Sequence, residues 1–204
     1  MHLEILDKRQ LELLPHLKVF QRSFYLAGGT AIALHIGHRR SVDFDLFCHA
    51  PLVKSRIRQK LKQLPFQQET LYEDVDQLHV FIGLVKLTFL NYPYLVASPF
   101  KIDNCITLPG LKSLAAMKAF ALGRRAKWKD YADLYFLLKE YLSVKDICEE
   151  SYTIFGNQFS EKNFREQLAF HKDIDYTEAV EYIGIQPKYN EIKNFLIDKA
   201  TDVL

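Results

Sequence analysis

The chain has 204 residues, of which 49% are hydrophobic and 25% are charged, and its 27 basic and 25 acidic residues leave a formal net charge of +2. This composition supports a packed core and excludes a wholly disordered chain, and the length predicts one domain or one domain with a helical annex. Because the net charge is small, any contact with nucleic acid must come from a local basic patch.

The cysteines and the apolar segments predict the compartment. Cys48, Cys105 and Cys148 are an odd number at wide spacings, which favours reduced thiols over a disulfide framework or a zinc site. The N-terminal segment lacks the apolar core of a signal peptide, and no window reaches about 18 apolar residues. We therefore expect a cytoplasmic protein without a membrane span.

Along the first quarter of the chain, the pattern predicts helix, strand, turn, helix and strand. Apolar residues recur at helical spacing over 3–20, with Pro15 as an interruption, and predict one or two helices. A short apolar strand over 24–27 is followed by two glycines and a helix that ends at Gly37. The alternation over 41–47 predicts a strand that carries two acids, Asp43 and Asp45, on one face.

The rest of the chain predicts a sheet followed by helices. A basic helix over 52–64 precedes strands over 66–72, 78–82 and 85–90, and the prolines at 93 and 99 end the predicted sheet region. Helices are then predicted over 111–125, 129–141, 145–152, 161–170, 177–182 and 188–198. The predicted fold class is α/β (α+β), a small mixed β-sheet core with flanking helices over 1–110 and a helical half over 111–204 that closes a cleft.

The two glycines and the two aspartates form the candidate site. A helix that begins after Gly28-Gly29 and Thr30 presents unpaired backbone amides and the positive end of its dipole, which can cradle a triphosphate. Asp43 and Asp45 stand at positions i and i+2 of a strand, so both carboxylates can hold Mg²⁺ or Mn²⁺. Alone, the glycines are more often a simple turn and the acids a solvated strand edge. Together they suit in-line nucleotidyl transfer by the two-metal mechanism, in which one ion activates the attacking hydroxyl and the other stabilises the leaving pyrophosphate.

Two stretches carry a resemblance to a known family. YLAGGTAIALHIGHRRSVDFDLF, residues 25–47, resembles the first motif of the polymerase-β-like minimal nucleotidyltransferases, and most closely that of the AbiEii/AbiGii toxin family. MKAFALGRRAKWKDYADLYFLL, residues 117–138, resembles the family's downstream helical motif. The resemblance implies Mg²⁺-dependent transfer of a nucleotide from a nucleoside triphosphate (NTP) to a tRNA end or a protein hydroxyl. It also implies that the protein is the toxin of a bacterial toxin–antitoxin pair, with an antitoxin as partner.

The same resemblance assigns roles to individual residues. It places Gly28, Gly29 and Thr30 at the phosphates, Asp43 and Asp45 at the metal, Lys118 at the triphosphate, and Asp130 and Asp133 in the catalytic site. The residues themselves leave alternatives open: Lys118 can be a packed lysine that extends its ammonium to solvent, and the two helical aspartates can cap their helix.

One position departs from the family pattern. Polymerase-β-like enzymes commonly place a third carboxylate on a later strand, where this chain has Thr88. A hydroxyl lacks the negative charge, so a second metal would bind more weakly unless Asp74, Asp76 or a helical aspartate substitutes. Lys86 points to the same face as Thr88 and is either a replacement for a metal-bound charge or a surface lysine.

A basic run around the single tryptophan predicts an RNA contact. The residues of this surface are Arg39, Arg40, Arg124, Arg125, Lys127, Trp128 and Lys129. They could bind an RNA backbone while the indole stacks on a base, or they could form a solvated turn around a packed indole. Two other functions remain open: a catalytically inactive nucleotide- or RNA-binding protein of the same fold, and a nucleotidyltransferase that acts on a small molecule such as an antibiotic.

Overall fold

The computed structural model describes residues 1–122 and 124–202, which form two compact units. Unit 1 comprises residues 1–37 and 41–110, and unit 2 comprises residues 38–40 and the chain from 111 onward. Whether the two are autonomous domains, as predicted with a boundary after residue 110, stays a prediction. Among the described residues, no helix is long and apolar enough to cross a membrane.

Unit 1 contains the whole sheet. Its helices are α1 (Lys8–Leu13), α2 (Gly28–Ile36) and α3 (Lys54–Leu61), with 3-10 segments at Leu3–Ile5 and Leu14–Phe20. Its strands are β1 (Tyr25–Ala27), β2 (Phe44–Cys48), β3 (Gln68–Glu73), β4 (Gln77–Ile82), β5 (Val85–Asn91), β6 (Phe100–Ile102) and β7 (Ile106–Leu108).

Unit 2 is helical over the residues that the structure describes. Its helices are α4 (Leu111–Leu122), α5 (Trp128–Glu140), α6 (Val144–Phe155), α7 (Glu161–Ala169) and α8 (Tyr189–Thr201), with a 3-10 turn at Gly156–Gln158. The mixed α/β class, with a helical C-terminal half, is confirmed.

The strand order β3-β4-β5-β2-β1-β7-β6 places β2, which carries Asp45 and begins directly after Asp43, near the middle of the sheet. β2 pairs antiparallel with β1 and parallel with β5, and β1 pairs parallel with β7. A central strand has neighbours on both sides, so its backbone and its side-chain directions are firmly held. β3 is an edge strand, and all six of its residues are exposed.

The two faces of the sheet differ in burial. Phe44 and Leu46 of β2 and Phe89 of β5 are fully buried, and the rings of Phe20 and Phe24 pack edge-on against Phe89 at 5.0 and 5.2 Å. The alternate residues of β2, Asp45 and Phe47, are half-buried and point to the opposite, partly open face. The core on one face thus fixes which side chains line the other.

The strand predicted over 41–47 begins at Phe44, so Asp43 lies just before β2. Three further sequence predictions differ from the structure. The sheet does not end near Pro99, because β6 and β7 extend it. These strands have three residues each, too few to show a period, and β7 is recruited by pairing with β1. The helix predicted to end at Arg125 ends at Leu122, and Gly123 lies outside the described residues.

The third difference is the helix predicted over 177–182, which is wrong. This segment is irregular because its backbone pairs with residues 38–40 instead: the amide of Arg40 donates to the carbonyl of Glu181, and the amide of Ile183 donates to that of His38, at 2.8 and 2.9 Å. A tertiary pairing thus overrides the local helical preference.

Replacing Phe89 by alanine tests the aromatic core behind the site. The substitution Phe89→Ala removes a fully buried ring and should lower the free energy of unfolding by about 3–5 kcal/mol. Leu84→Ala is the control, because Leu84 is 68% exposed and its loss should change stability by less than about 0.5 kcal/mol. Urea unfolding followed by circular dichroism measures both. Equal effects would contradict this account of the core.

Candidate active site

The first helix turn after β1 lies directly against an acid of β2. β1 ends at Ala27, and α2 begins at Gly28, whose φ of +70° is in the left-handed region that favours glycine. A Cβ atom at this position would overlap the carboxylate of Asp45. Only glycine therefore allows this close approach between a helix N-terminus and the acid.

Charge at this helix end suits an anion. The residue before α2 is Ala27, whose side chain cannot cap the helix, and the first turn of α2 contains no acidic residue. The amides at such a helix start carry partial positive charge and bind phosphate well. Gly28 and Gly29 thus lie where the sequence predicted a phosphate cradle.

The side chain of Thr30 links α2 to the segment before β2 by a hydrogen bond. It is 1% exposed, and its hydroxyl donates to the backbone carbonyl of Asp43 at 2.5 Å. The Ser41 hydroxyl lies 2.7 Å from the same oxygen. Because Thr30 already uses its proton within the protein, the structure shows it holding Asp43 in place, and its predicted contact with phosphate stays a prediction.

The two aspartates share the open face of the sheet. Phe44, which stands between them, is fully buried, so Asp43 and Asp45 both point away from the core. The side chain of Asp43 is 35% exposed, and its Oδ2 lies 2.9 Å from the ammonium of Lys86, which is 33% exposed. Lys86, for which the sequence left two interpretations open, therefore belongs to the site.

The sheet register places two further polar residues beside Asp45. Asp45 pairs with Thr88 on β5, and Thr88 pairs with His79 on β4. Burial lowers the pKa of His79, and the positive charge of Lys86 acts in the same direction. Thr88 thus occupies the position next to Asp45 on the neighbouring strand.

Asp74 and Asp76, which were considered as substitutes for a third acid, lie at the turn between β3 and β4. The carboxylate of Asp74 accepts hydrogen bonds from the Tyr72 hydroxyl and from the amides of Asp76 and Gln77, at 2.8 to 2.9 Å. These bonds organise the turn. Within the described ranges, no group of three or more His, Cys, Asp or Glu side chains could hold a metal ion.

The residues present fit one magnesium ion. Mg²⁺ is usually held by one or two carboxylates together with water and substrate phosphates, and it prefers hard oxygen ligands. Asp43 and Asp45 supply two carboxylates, and Thr88 adds a neutral oxygen next to them. Substrate phosphates would have to complete the coordination.

In unit 2, a second set of charges is buried. Lys118 is 6% exposed, and its ammonium lies 2.7 Å from Asp130 and 3.0 Å from Asp133. Arg39 donates two hydrogen bonds to the Asp133 carboxylate, at 2.7 and 3.0 Å, and His38 Nε2 lies 2.8 Å from it. These five residues form a buried cluster whose members bind one another.

The cluster keeps the carboxylate of Asp133 ionised. Burial opposes the charge on Asp133, but the guanidinium of Arg39 and the ammonium of Lys118 outweigh it and hold the pKa of this carboxyl well below its ordinary value. Burial likewise opposes the charge on Lys118, and the two aspartates raise its pKa. The predicted contact of Lys118 with a triphosphate, and of Asp130 and Asp133 with the reaction, stay predictions.

The predicted RNA-binding residues are mostly paired inside unit 2. Arg39 is 2% exposed, so the structure does not bring it to a surface. Lys127 and Lys129 contact Glu178 at 2.6 and 3.0 Å, and Trp128 packs on Tyr176. Arg40 forms an ion pair with Glu181, and Arg125 forms one with Asp130. The guanidinium of Arg124 lies over the Phe120 ring. The indole packs within the protein, and an RNA contact stays a prediction.

Part of the chain matches a known protein family. Residues 13–83 match the family model described as nucleotidyl transferase AbiEii toxin, type IV TA system. The predicted family resemblance is confirmed. The AbiEii match covers the glycine turn and both candidate metal-binding aspartates, Asp43 and Asp45, and it supports the predicted enzyme class, nucleotidyltransferase.

Similar proteins span most of the chain. An uncharacterized protein of Aquifex aeolicus (strain VF5) is 29% identical over 191 residues, which are 89% of this chain and 88% of that protein. The nucleotidyltransferase toxin MenT4 from Mycobacterium tuberculosis H37Rv has a similar fold, with a TM-score of 0.63 at 15% identity over 96% of this chain and 82% of its own. JHP933 from Helicobacter pylori has a TM-score of 0.54 at 14% identity, over 96% and 91% of the two chains.

The AbiEii match ends before the residues that distinguish this site. It stops at residue 83, whereas Lys86 and Thr88 follow it. His79 lies within the match but was missed by the sequence analysis. A two-residue hairpin turn, Gly83-Leu84, joins β4 to β5. Pairing the residues outward from this turn, beginning with Ile82 and Val85, places His79 opposite Thr88.

Replacing Gly28 by alanine tests the contact between α2 and Asp45. Gly28→Ala should weaken Mn²⁺ binding, because the new methyl group overlaps the Asp45 carboxylate and must displace it. Gly184→Ala is a matched control: its φ is +76° and a Cβ there meets nothing within 4 Å. Both variants carry the backbone cost of about 1–2 kcal/mol for a left-handed alanine. Equal Mn²⁺ affinities in a titration followed by electron paramagnetic resonance (EPR) would contradict the proposed contact.

Replacing Asp133 tests the buried cluster. Asp133→Asn should lower the free energy of unfolding by about 3–5 kcal/mol, because it leaves buried cations without their partner. The pKa of Asp133 is lower in the folded chain, so its contribution is complete above the ordinary value of 3.8 and is lost as the pH falls below it. Urea unfolding should therefore show the same deficit at pH 7 and pH 5, and a smaller one below about pH 3.8.

The control for the buried cluster is Asp198→Asn, which changes an exposed aspartate of α8. It should leave the stability nearly unchanged. A deficit of Asp133→Asn that is no larger than that of Asp198→Asn would show that the cluster does not stabilise unit 2.

Proposed function

We propose that this chain transfers a nucleotide from an NTP to a hydroxyl acceptor in a reaction that requires Mg²⁺ or Mn²⁺. The observation that carries the proposal is the placement of Asp43 and Asp45 on one open sheet face, with Asp45 directly against the start of α2. A phosphate-binding helix end and a pair of metal-binding carboxylates thus lie side by side. The AbiEii match supports the same class of reaction.

The start of α2 binds the polyphosphate of the NTP in this proposal. Gly28 and Gly29 offer backbone amides without a Cβ in the way, and the helix dipole favours the negative charge of the phosphates. Thr30 holds the following loop by its bond to the Asp43 carbonyl. The substrate and the acids are therefore positioned by the same short segment.

Asp43 and Asp45 hold the divalent ion. When bound, the ion neutralises phosphate charge and makes the α-phosphorus easier to attack. The acceptor oxygen forms a bond to that phosphorus, the bond to the β-phosphate oxygen breaks, and pyrophosphate leaves. The acceptor loses one proton in this exchange, and a base or water takes it.

The acceptor and the biological role are proposed from the family. The matched model is described as a toxin of a type IV TA system, and MenT4 is described as a nucleotidyltransferase toxin. We propose that the acceptor is a tRNA end or a protein hydroxyl in the bacterial cytoplasm, and that an antitoxin protein counteracts the activity. Arg40, Arg124 and Arg125 are the basic residues of the predicted RNA surface that are exposed.

In this proposal, Lys118 contacts the triphosphate only if it gives up contacts with Asp130 and Asp133. The ammonium of Lys118 is shared between two carboxylates in the structure. It can contact a triphosphate only if the anion competes with these aspartates. Their stabilising role within unit 2 needs no substrate.

A second candidate function is nucleotide binding without catalysis. It is favoured by Thr88, which supplies no charge next to Asp45, and by Lys86, which already neutralises part of Asp43. Such a protein would act by binding NTP or RNA without transferring a nucleotide. The two functions use the same site and differ in whether a nucleotide is transferred to an acceptor.

Replacing the two aspartates separates these functions. The full chain is incubated with each α-³²P-labelled NTP, Mg²⁺, and total bacterial RNA or protein. Transfer of label should fall at least about 100-fold in Asp43→Ala and Asp45→Ala, because each loses a ligand of an ion that contributes several kcal/mol to the transition state. Asp76→Ala removes an exposed acid of the β3–β4 turn and should retain transfer.

Two outcomes would contradict the proposal. Tight NTP binding without any transfer by the unsubstituted chain would support the binding function instead. Transfer that survives both aspartate substitutions would remove the two acids from the reaction.

A further inference from the structure

Lys86 is placed in the metal site by the sheet itself. β5 runs parallel to β2, with Leu87 opposite Phe44 and Thr88 opposite Asp45, so Lys86 stands next to Asp43 on the same face. On its other side Lys86 pairs with Phe81 of β4. Because β5 is held by strands on both sides, the start of the lysine side chain has a fixed position.

The contact with the acid is direct. The Lys86 ammonium lies 2.9 Å from Asp43 Oδ2, and both side chains are about one-third exposed, at 33% and 35%. A pair on an open surface is commonly loose, but here Lys86 stands on a paired strand, Asp43 directly precedes one, and both side chains are partly shielded from water. One oxygen of Asp43 is therefore occupied by a cation of the protein.

The charges of the site limit the number of metal ions. Asp43 and Asp45 together carry −2, Lys86 carries +1, and Thr88 is neutral, which leaves −1. One divalent ion brings this set to +1 and a second would bring it to +3. A second ion would also lie close to the ammonium, and like charges at such distances repel strongly where water is partly excluded.

We infer that Lys86 is a built-in cation of this site, so that Asp43 and Asp45 bind one divalent ion rather than two. This inference rests on the proposed function and deepens it. Lys86 acts as a positioning residue through Asp43: it turns one carboxylate oxygen away from the ion and supplies a fixed positive charge beside it. Thr88 contributes an uncharged oxygen at the neighbouring position, where an acid would attract a second ion.

Mn²⁺ binding to the full chain, without nucleotide, tests the inference independently of activity. Free Mn²⁺ is followed by its EPR signal during a titration, and bound ions that lie close together are detected by their spin coupling. Lys86→Met should bind Mn²⁺ at least about 10-fold more tightly than the unsubstituted chain, because the competing cation is gone. Lys86→Arg keeps the charge and should resemble the unsubstituted chain.

Lys62→Met is the matched control, because Lys62 is exposed, lies just after α3, and loses the same charge. It should leave Mn²⁺ affinity within about 2-fold of the unsubstituted chain. The double variant Lys86→Met, Thr88→Asp should bind a second Mn²⁺ that is spin-coupled to the first. Circular dichroism spectra and melting temperatures of all variants show that they fold.

Three results would overturn the inference. The first is a spin-coupled pair of Mn²⁺ ions in the unsubstituted chain. The second is a Mn²⁺ affinity of Lys86→Met no higher than that of Lys62→Met, and the third is a double variant that still binds a single ion. A chain that shows the expected Mn²⁺ behaviour but transfers no label would instead overturn the proposed function and leave the role of Lys86 in metal binding intact.

Discussion

The contact between Gly28 and the carboxylate of Asp45 is the constraint on which the rest of the site depends. It brings a positive helix end against a metal-binding acid, and only a residue without a Cβ permits it. The Thr30 hydroxyl fixes the next stretch of chain by bonding to the Asp43 carbonyl. Three consecutive residues of α2 thus set the distance between a phosphate-binding surface and both acids.

The two sets of charged side chains, one around Asp43 and one around Asp133, differ in their exposure to water. Asp43 and Lys86 are about one-third exposed, so water shares in stabilising their charges. Asp133 is fully buried, and without Arg39 and Lys118 its charge would be very unfavourable. The first pair is accessible to an incoming ion, whereas the second set is suited to hold residues 38–40 among the helices of unit 2.

That second set also shows why a motif does not reveal burial. Lys118, Asp130 and Asp133 stand at spacings that suit a catalytic helix face, and the resemblance to the family assigns them to the reaction. The structure shows that their charges are satisfied by one another and by Arg39, which follows α2 by only three residues. Because Arg39 is about 90 residues away in sequence, periodicity within one helix could not have found this partner.

The sequence by itself determined the α/β class, the glycine turn before α2 and the shared face of Asp43 and Asp45, because each depends on short-range geometry: a helix period, a strand period and the freedom of glycine. Only the tertiary structure decided that β6 and β7 join the sheet, that residues 177–182 are not a helix, and that Lys86 contacts Asp43. These features depend on which strand lies beside which, and pairing between distant segments is set by the packing of the whole core rather than by any local pattern.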